Sequence, residues 1–282
     1  MTHAGTRRLW IDAVAWWSPG LPDWQQAQAA LRGEATASAP STGPTARPAP
    51  ALLAANERRR APDAVLLALE VAARASADSG HDTPTLATVF ASAHGDLPIT
   101  DALCRTLASD PLLLSPTRFH HSVHNAASGY WAIGSGSTAA STALAAFENT
   151  FATGLLEAAC QCHADSRPVM LVACDTQAVG PLASVNRSRG LLAVALVFSP
   201  VAGPRSGWVL DWSLQAKAVP QPLARSATAW QLSNNASSAA LPMMEALAGA
   251  GEARLAWPLS TGLLLQLQLQ TWPAAAGTSA AA

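Results

Sequence analysis

The chain has 282 residues, a length that suits one large domain or two small ones. Half of the residues are hydrophobic, 12% are charged and the formal net charge is −1, which is typical of a compact globular protein with a large core. Because the chain has no overall basic charge, neither nucleic acid nor an anionic membrane surface is expected as a partner.

The sequence predicts neither export nor membrane insertion. No apolar core of a secretory signal follows the first residues, M-T-H-A-G-T-R-R-L-W-I-D. The longest apolar stretch, 191–198, is far too short to span a bilayer. Four cysteines are too few for a disulfide scaffold of this length. We therefore expect a reduced, cytoplasmic protein without a transmembrane segment.

Predicted strands and helices alternate along most of the chain. Residues 9–17 are rich in aromatic and β-branched types and predict a strand, after which Asp23 is a suitable N-cap for a helix over 23–32. Residues 62–78 give the clearest helix, because Pro62 suits its first turn and an apolar face follows. Further strands are predicted over 86–92, 168–174, 190–198, 207–215 and 262–270, and further helices over 99–109, 145–163 and 241–249.

Three segments do not have the composition of a core element. Residues 34–56 are predicted to form a mobile loop rich in Ala, Ser, Thr and Pro, and residues 273–282 an Ala-rich disordered tail. G-S-G-S-T at 134–138 lacks the lysine of a phosphate loop and the spacing of a dinucleotide fingerprint, which favours a turn before a strand. The remaining alternation predicts a mixed sheet with helices on both faces, and the strands 190–198 and 207–215 predict an antiparallel edge.

The densest polar cluster is S-P-T-R-F-H-H-S-V-H-N-A-A-S-G at 115–129, a segment with turn-forming residues. It contains His120, His121, His124 and Asn125. Polar residues on loops often bind or react, so this segment could be an active-site or interface loop. It could equally be a structural loop whose hydrogen bonds orient Asn125 and its neighbours. The residues alone leave both interpretations open.

Cys160, Cys162, His163 and Cys174 raise the question of a metal site. Zinc sites pair cysteines at C-x(2–4)-C spacing on a turn, whereas this C-x-C lies in an apolar helix, where residues i and i+2 face different directions. Buried free cysteines are therefore the better interpretation. No metal and no cofactor is expected.

The only strong basic run is E-R-R-R at 57–60. Arg58, Arg59 and Arg60 could bind a phosphate group or an acidic protein partner. The alternative is a solvated first turn of a helix.

Several longer segments resemble one protein family. They are W-S-P-G-L-P-D-W at 17–24, E-R-R-R-A-P at 57–62, V-F-A-S-A-H-G-D-L at 89–97, and the two strongest, S-P-T-R-F-H-H-S-V-H-N-A-A-S-G-Y-W at 115–131 and F-A-T-G-L-L-E-A-A at 151–159. Over most of residues 9–200, and more weakly beyond, the chain resembles the N-terminal half of β-ketoacyl synthases. More narrowly, it is similar to the short ketosynthase chain length factor proteins of aryl polyene-type biosynthetic clusters.

The resemblance implies an α/β fold that is half of a thiolase-like fold, a βαβαβαββ mixed sheet with helices on both faces. Residues 1–200 would form this half-domain, and residues 201–272 would complete it with a small helix and strand extension. Asn125 and Gly129 match the N-x-x-x-G segment that lies near the active site and subunit interface of ketosynthases. By this match the active-site-like or interface loop comprises His121, His124, Asn125 and Gly129.

Two departures from the family imply that the chain is not a catalyst. Active ketosynthases carry a nucleophilic cysteine at the start of the helix predicted here over 145–163, because its thiolate attacks the acyl thioester. Counted back from L-L-E-A at 155–158, that position falls at Glu148, between Phe147 and Asn149. The histidines that drive decarboxylation belong to the C-terminal half of a full synthase, for which the chain is too short.

The resulting prediction is a non-catalytic subunit that pairs with an active β-ketoacyl synthase and serves chains bound to an acyl carrier protein. The partner's acyl tunnel would end near Glu148, and Arg58, Arg59 and Arg60 would dock the carrier protein. A helix with small residues would pack against the partner. The small residues concerned are Ala143, Ala145, Ala146, Ala152 and Gly154.

Two alternatives stay open. One is a stand-alone acyl-processing enzyme, a malonyl-carrier decarboxylase or an acyltransferase, with Glu148 as a base or with His124 beside the hydroxyl of Ser122 or Ser128. The other is a scaffold that binds the carrier protein through the three arginines without touching a product tunnel.

Overall fold

The computed structural model describes residues 7–34, 47–217, 220–249 and 251–272. The predicted tail at 273–282 and residues 35–46 of the predicted loop lie outside the described residues. The last part of that loop, residues 47–56, leads into a helix, and Leu53 within it is buried in the core.

Each strand and helix predicted from the sequence corresponds to an element of the structure. The strands are β1 (Arg7–Trp17), β2 (Ala87–Ala91), β3 (Ser141–Leu144), β4 (Val169–Asp175), β5 (Leu192–Ser199), β6 (Trp208–Gln215), β7 (Ala253–Ser260) and β8 (Leu263–Thr271). The helices are α1 (Trp24–Leu31), α2 (Ala55–Arg60), α3 (Asp63–Ser79), α4 (Leu97–Ser109), α5 (Pro116–Ser122), α6 (Ala126–Ser135), α7 (Thr150–Asp165), α8 (Ala227–Leu232) and α9 (Leu241–Ala248).

The strands of the described residues form one eight-stranded mixed sheet in the order β3-β2-β4-β5-β1-β6-β8-β7. β2 runs parallel to β3 and β4, and the other neighbouring strands are antiparallel. As far as β5 the chain follows the order βαβαβαββ, so the predicted α/β class and mixed sheet are confirmed. The C-terminal extension continues the same sheet from β1 outward.

Helices cover both faces of the sheet, which explains why β4 and β5 are buried along their whole length. α3 and α6 pack on one face, and α1, α7 and α9 pack on the other. Successive residues of β1 point to opposite faces, so Trp16 lies in one core and Trp17 in the other. Within the described ranges, no helix is both long and apolar enough to cross a bilayer.

Some elements are not predicted from the sequence, for local reasons. β7 contains Pro258 and is only partly buried, so it lacks the signal of a core strand. β3 is short and partly exposed. The helix predicted from residue 145 begins at Thr150, because residues 145–149 form the turn that follows β3.

Candidate functional site

A strained turn joins β3 to α7 at the position where the family resemblance places a nucleophile. Phe147 has a φ of 51°, in the left-handed region that non-glycine residues rarely adopt. The Thr150 hydroxyl holds this turn: it accepts a hydrogen bond from the N–H of Ala146 at 2.9 Å and donates one to the Phe147 carbonyl at 2.7 Å. A strand, a strained turn and a helix also present the nucleophile of α/β-hydrolases.

Glu148 lies in this turn with an exposed side chain. The side-chain amide of Gln221 donates a hydrogen bond to the Glu148 carbonyl at 2.9 Å. Among the described residues, no hydrogen bond or ion pair involves the Glu148 carboxylate. The residue at the predicted nucleophile position is therefore a solvated carboxylate, flanked by Phe147 and Asn149.

The turn forms one wall of a cleft of about 480 Å³ beside the ends of β2 and β3. Ligands of open α/β sheets bind at the carboxyl ends of the strands. Three apolar side chains around this cleft are exposed, Phe147 at 76%, Val185 at 73% and Leu223 at 77%. An apolar lining with a few polar groups is typical of sites for small molecules. The polar side chains of the lining include His94, Arg187, Gln221 and Asn235.

Asp175, the last residue of β4, anchors two segments that border the cleft. Its buried carboxylate accepts hydrogen bonds from the hydroxyls of Ser92 at 2.8 Å and Ser237 at 2.7 Å. It also accepts bonds from the backbone N–H groups of Ala93 and His94, at 3.2 and 3.3 Å. Burial raises the pKa of Asp175, and these hydrogen bonds partly offset the shift. The carboxylate thus fixes the loop after β2 against the C-terminal extension.

His94 belongs to that loop after β2, and His124 contacts it. The His94 ring lines the cleft and packs edge-on against the Phe147 ring, with 6.2 Å between the ring centroids. His124 Nε2 lies 2.8 Å from the Ser92 carbonyl, to which it donates. The sequence predicts no role for His94 or Asp175. Polar residues at or just beyond the end of a buried strand are the signal that could have identified both, since Asp175 ends β4 and His94 lies three residues after β2.

The polar segment at 115–129 is mostly helical, so its interpretation as a loop is wrong. Ser115 caps α5 by accepting a hydrogen bond from the N–H of Arg118 at 3.3 Å, and Pro116 follows in the first turn. Asn125 is the N-cap residue of α6, and Gly129 lies within that helix. Helix-starting residues were therefore mistaken for turn residues. His121 lies on α5, and His124 lies in the short link between the helices.

The structure does not form the serine and histidine pairs considered from the sequence. The hydroxyl of Ser122 donates to the Phe119 carbonyl at 2.8 Å, and that of Ser128 donates to the Asn125 carbonyl at 2.9 Å. The ring of His124 bonds instead to the backbone of the loop after β2. No hydroxyl is therefore activated by His124 in this conformation.

The small residues that were predicted to face a partner are used differently. Ala152 and Gly154 lie on α7 but face the chain's own core. A Cβ added at Gly154 would lie 2.8 Å from the Cβ of Ala91 and 3.1 Å from Cδ1 of Leu171. α7 thus needs its small residues to approach β2 and β4. The rest of the set precedes the helix, with Ala143 on β3 and with Ala145 and Ala146 in the turn.

β3 is an edge strand that pairs only with β2 among the described residues. The N–H groups of Thr88 and Ser92 donate to the carbonyls of Ala140 and Leu144, at 3.0 and 3.2 Å. Because backbone groups alternate along a parallel ladder, those of Ala143 point to the open side. Exposed apolar side chains accumulate on the elements between α4 and β3, and we call them the apolar face. They are Leu112, Leu113, Phe119, Val123 and Ile133.

Arg58, Arg59 and Arg60 lie together in the last turn of α2. Arg58 donates a hydrogen bond to the Pro50 carbonyl at 3.3 Å, and Arg59 and Arg60 are exposed. No ion pair holds any of the three within the part of the chain that the structure describes. The basic run is therefore available to a partner.

The cysteines lie away from the strained turn. Cys160 and Cys162 lie near the C-terminal end of α7, one exposed and one buried, and Cys174 is buried in β4. Burial raises the pKa of Cys162 to about 12 and also raises the pKa of Cys160 and Cys174. Over the described ranges, no three metal-ligating side chains come together.

A sequence-family comparison places this geometry in context. The model of the β-ketoacyl synthase N-terminal domain matches residues 24–260. The match begins after β1 and includes the strained turn, the cleft and β7. No protein of curated function matches the chain.

Solved structures share the fold over nearly the whole chain. One is the ketosynthase ApeO in complex with its chain length factor ApeC from Xenorhabdus doucetiae, with 23% identity, a TM-score of 0.68, and coverage of 93% of this chain and 98% of the matched chain. The ishigamide ketosynthase/chain length factor matches with 13% identity, a TM-score of 0.67, and coverage of 95% and 100%. AntDE:AntF, a type II polyketide synthase acyl-carrier protein in complex with its ketosynthase, matches with 11% identity, a TM-score of 0.71, and coverage of 94% and 100%. At these identities the likeness shows the fold, and the predicted half of a thiolase-like fold is confirmed.

Proposed function

Because the chain belongs to the family of β-ketoacyl synthase N-terminal domains, we propose that it is a non-catalytic subunit of the chain length factor type. It pairs with an active β-ketoacyl synthase that elongates chains bound to an acyl carrier protein. The chemistry we assign to the pair is fatty acid or polyketide elongation of the aryl polyene type. The observation that carries the proposal is the exposed carboxylate of Glu148 in the strained turn, at the position where the resemblance implies a thiolate.

The chemistry at the turn favours a subunit without its own acyl-enzyme intermediate. A ketosynthase nucleophile must attack a thioester and then hold the acyl chain, which a low-pKa cysteine does well and a solvated carboxylate does poorly. Phe147 and Asn149 offer no alternative nucleophile. The pKa values of Cys160, Cys162 and Cys174 are raised, which makes those thiols poor nucleophiles as well.

Pairing is supported by the open edge of β3 and by the apolar face beside it. An unpaired edge strand is a template for association, and exposed apolar residues in one region mark protein interfaces. Two of the similar structures are ketosynthase and chain length factor complexes. We assign the pair to the cytoplasm, where the four free cysteines stay reduced.

Co-expression with a cognate full-length ketosynthase, followed by size-exclusion chromatography, tests the pairing. We expect one peak that contains both chains in equal amounts. Two separate monomeric peaks would contradict the proposal. The chain alone is expected to aggregate, because its apolar face would lack a cover.

The subunit would also limit product length through the bulk of its side chains. The resemblance assigns this role to the surroundings of Glu148, whereas the apolar face offers Ile133 as a second position. Product lengths from complexes with Phe147→Ala, Glu148→Ala and Ile133→Ala distinguish the two. If only Phe147→Ala or Glu148→Ala gives longer products, the turn limits product length. If only Ile133→Ala gives longer products, the apolar face limits it.

One observation favours a second candidate function. Glu148 lies exposed in a cleft of about 480 Å³, where its carboxylate could act as the base of a stand-alone malonyl-carrier decarboxylase. The test compares decarboxylation of malonyl-carrier protein by the isolated chain and by Glu148→Ala. We expect no turnover by either. Turnover by the isolated chain that Glu148→Ala abolishes would replace the proposed function.

A further inference from the structure

A groove of about 440 Å³ lies between α2 and the pair of helices α5 and α6. It shares no lining residue with the cleft at the strained turn. α2 contributes Glu57 and Arg60 to this groove, and α6 contributes Tyr130. The residues that α5 contributes include Thr117, His120 and His121.

His121 and Tyr130 form a polar pair in the groove. His121 is 7% exposed, and its Nε2 lies 2.8 Å from the Tyr130 hydroxyl. Burial lowers the pKa of His121 and raises the pKa of Tyr130, so both groups are neutral near pH 7. In the tautomer with its proton on Nε2, His121 donates to the Tyr130 oxygen. The Tyr130 O–H is then free to donate to a ligand in the groove.

The rim of the groove is basic. Arg60 and His120 line it with exposed side chains, and Arg58 and Arg59 lie on the same helical turn as Arg60. Glu57 is the one acid in its lining. Three arginines and one glutamate give the run at 57–60 a formal charge of +2. Guanidinium groups and hydroxyls together are the donors that phosphate oxygens prefer.

We propose that this groove binds the phosphodiester that joins the pantetheine arm to an acyl carrier protein, with Arg60, His120 and Tyr130 as donors to the phosphate oxygens. The proposal rests on the proposed function and adds a ligand site to it. Arg58 and Arg59 contact the acidic surface of the carrier, so the rim attracts the protein and the groove takes its arm. The volume of the groove lies within the range of small-molecule sites.

A comparison of apo- and holo-carrier protein separates the contribution of the groove to binding from that of the basic rim. The apo form lacks the arm and its phosphodiester but keeps the acidic surface. Dissociation constants for both forms are measured by calorimetry on the complex of this chain with its ketosynthase, whose own arm-binding tunnel is blocked by a covalent inhibitor. We expect the holo form to bind about tenfold to a hundredfold more tightly, as one charge-assisted hydrogen bond allows.

Tyr130→Phe removes one donor and keeps the aromatic ring, and His120→Ala changes an exposed residue that folding does not need. Each variant should lose most of the holo preference while apo binding stays the same. Arg59→Glu should weaken the binding of both carrier forms equally. Its matched control is Arg254→Glu, at an exposed arginine on β7, which should leave the binding of both forms unchanged. If the phosphodiester is the recognised group, added inorganic phosphate should reduce the difference in affinity between the holo and apo forms.

Equal affinity of the complex for the apo and holo forms would contradict the proposed phosphodiester site. So would a tighter binding of the holo form that persists in both Tyr130→Phe and His120→Ala. If the wild-type complex bound neither carrier form, both the phosphodiester site and the docking role of the arginines would be contradicted. Failure of the chain to co-elute with the ketosynthase is scored separately, since it contradicts the proposed function itself.

Discussion

The two edges of the sheet differ in how they are protected. β7, at one edge, contains Pro258, which has no N–H to offer, next to a register shift, and it carries the exposed charge of Arg254. Such features block the addition of a further strand. β3, at the other edge, has the sequence S-T-A-L, with neither proline nor charge. The chain thus protects one edge by itself, whereas the edge at β3 lacks these features among the described residues.

The same contrast extends to the surroundings of the two edges. The strained turn follows β3 directly, the helix α6 that carries Ile133 contacts β3, and the cleft opens at the turn. The C-terminal extension, whose outermost strand is β7, instead continues the sheet beyond β1. The unprotected edge and the strands that extend the sheet beyond β1 therefore lie at opposite ends of one sheet.

Ala143→Pro on β3 should have the largest effect. Its N–H points to the open side, so proline removes a donor to the partner and leaves the bonds to β2 intact. We expect association with the ketosynthase to weaken by about a hundredfold or more, measured by analytical ultracentrifugation. The matched control is Ala256→Pro on β7, two residues before Pro258 and on the same side of its strand. An equal loss in both variants would remove the distinction between the edges.

Ile133→Asp tests the apolar face beside β3. Ile133 is 87% exposed on α6, so the change should leave the fold intact while burying an unpaired charge at the interface. Association should weaken by about tenfold to a hundredfold in the same measurement. The control is Val201→Asp, a change at an exposed apolar residue outside the apolar face, between β5 and β6, and it should have no effect. Normal association of Ile133→Asp would exclude the apolar face from the interface.

Gly154→Ala tests whether α7 serves the chain's own core behind β3. Its new methyl group would press on Ala91 and Leu171, and we expect the free energy of unfolding to fall by about 1–3 kcal/mol in urea denaturation. Gly129→Ala is the matched control in α6. No atom lies within 4 Å of an added Cβ there, so it should be neutral or stabilising by up to about 1 kcal/mol. If Gly154→Ala left the free energy of unfolding unchanged but weakened association with the ketosynthase, Gly154 would belong to the interface.

Asp175→Asn tests the anchor of the cleft. An amide NH₂ would face donors that now bond to the carboxylate, so we expect the free energy of unfolding to fall by about 1–2 kcal/mol at pH 7. The control, Asp211→Asn on β6, breaks a surface pair with Arg8 and should cost about 0–1 kcal/mol.

The effect of Asp175→Asn should also depend on pH. The raised folded-state pKa of Asp175 means that the folded state holds its proton more tightly than the unfolded state. This group therefore makes stability decline as pH rises from the ordinary aspartate range through the raised value. Asp175→Asn should remove that part of the pH dependence. An unchanged slope would mean that Asp175 titrates normally.

The sequence predicts the sheet well because its central strands are buried on both faces and form continuous apolar runs. β4 and β5 are identified by this signal alone. β3 and β7 are not, because edge strands are short or partly exposed. The polar segment at 115–129 was interpreted as a loop because of its histidines, although Ser115 and Pro116 are residues that begin a helix.

The candidate site is only partly predictable. Glu148 is located by counting within a family pattern, which places it at the start of a helix, and the structure has it in the strained turn before α7. The walls of the cleft are not foreseeable, because Arg187, Leu223 and Asn235 reach it from distant parts of the chain. The role of Asp175 likewise depends on Ser92 and Ser237, two contacts that local sequence does not reveal.

Intact-mass spectrometry of the reconstituted complex during turnover tests the central claim most directly. The complex is incubated with acyl- and malonyl-carrier protein and quenched in acid, and the mass of each subunit is read separately. We expect a covalent acyl group on the ketosynthase and an unmodified mass for this chain. An acyl adduct on this chain would show that it carries a nucleophile, and would contradict a non-catalytic role.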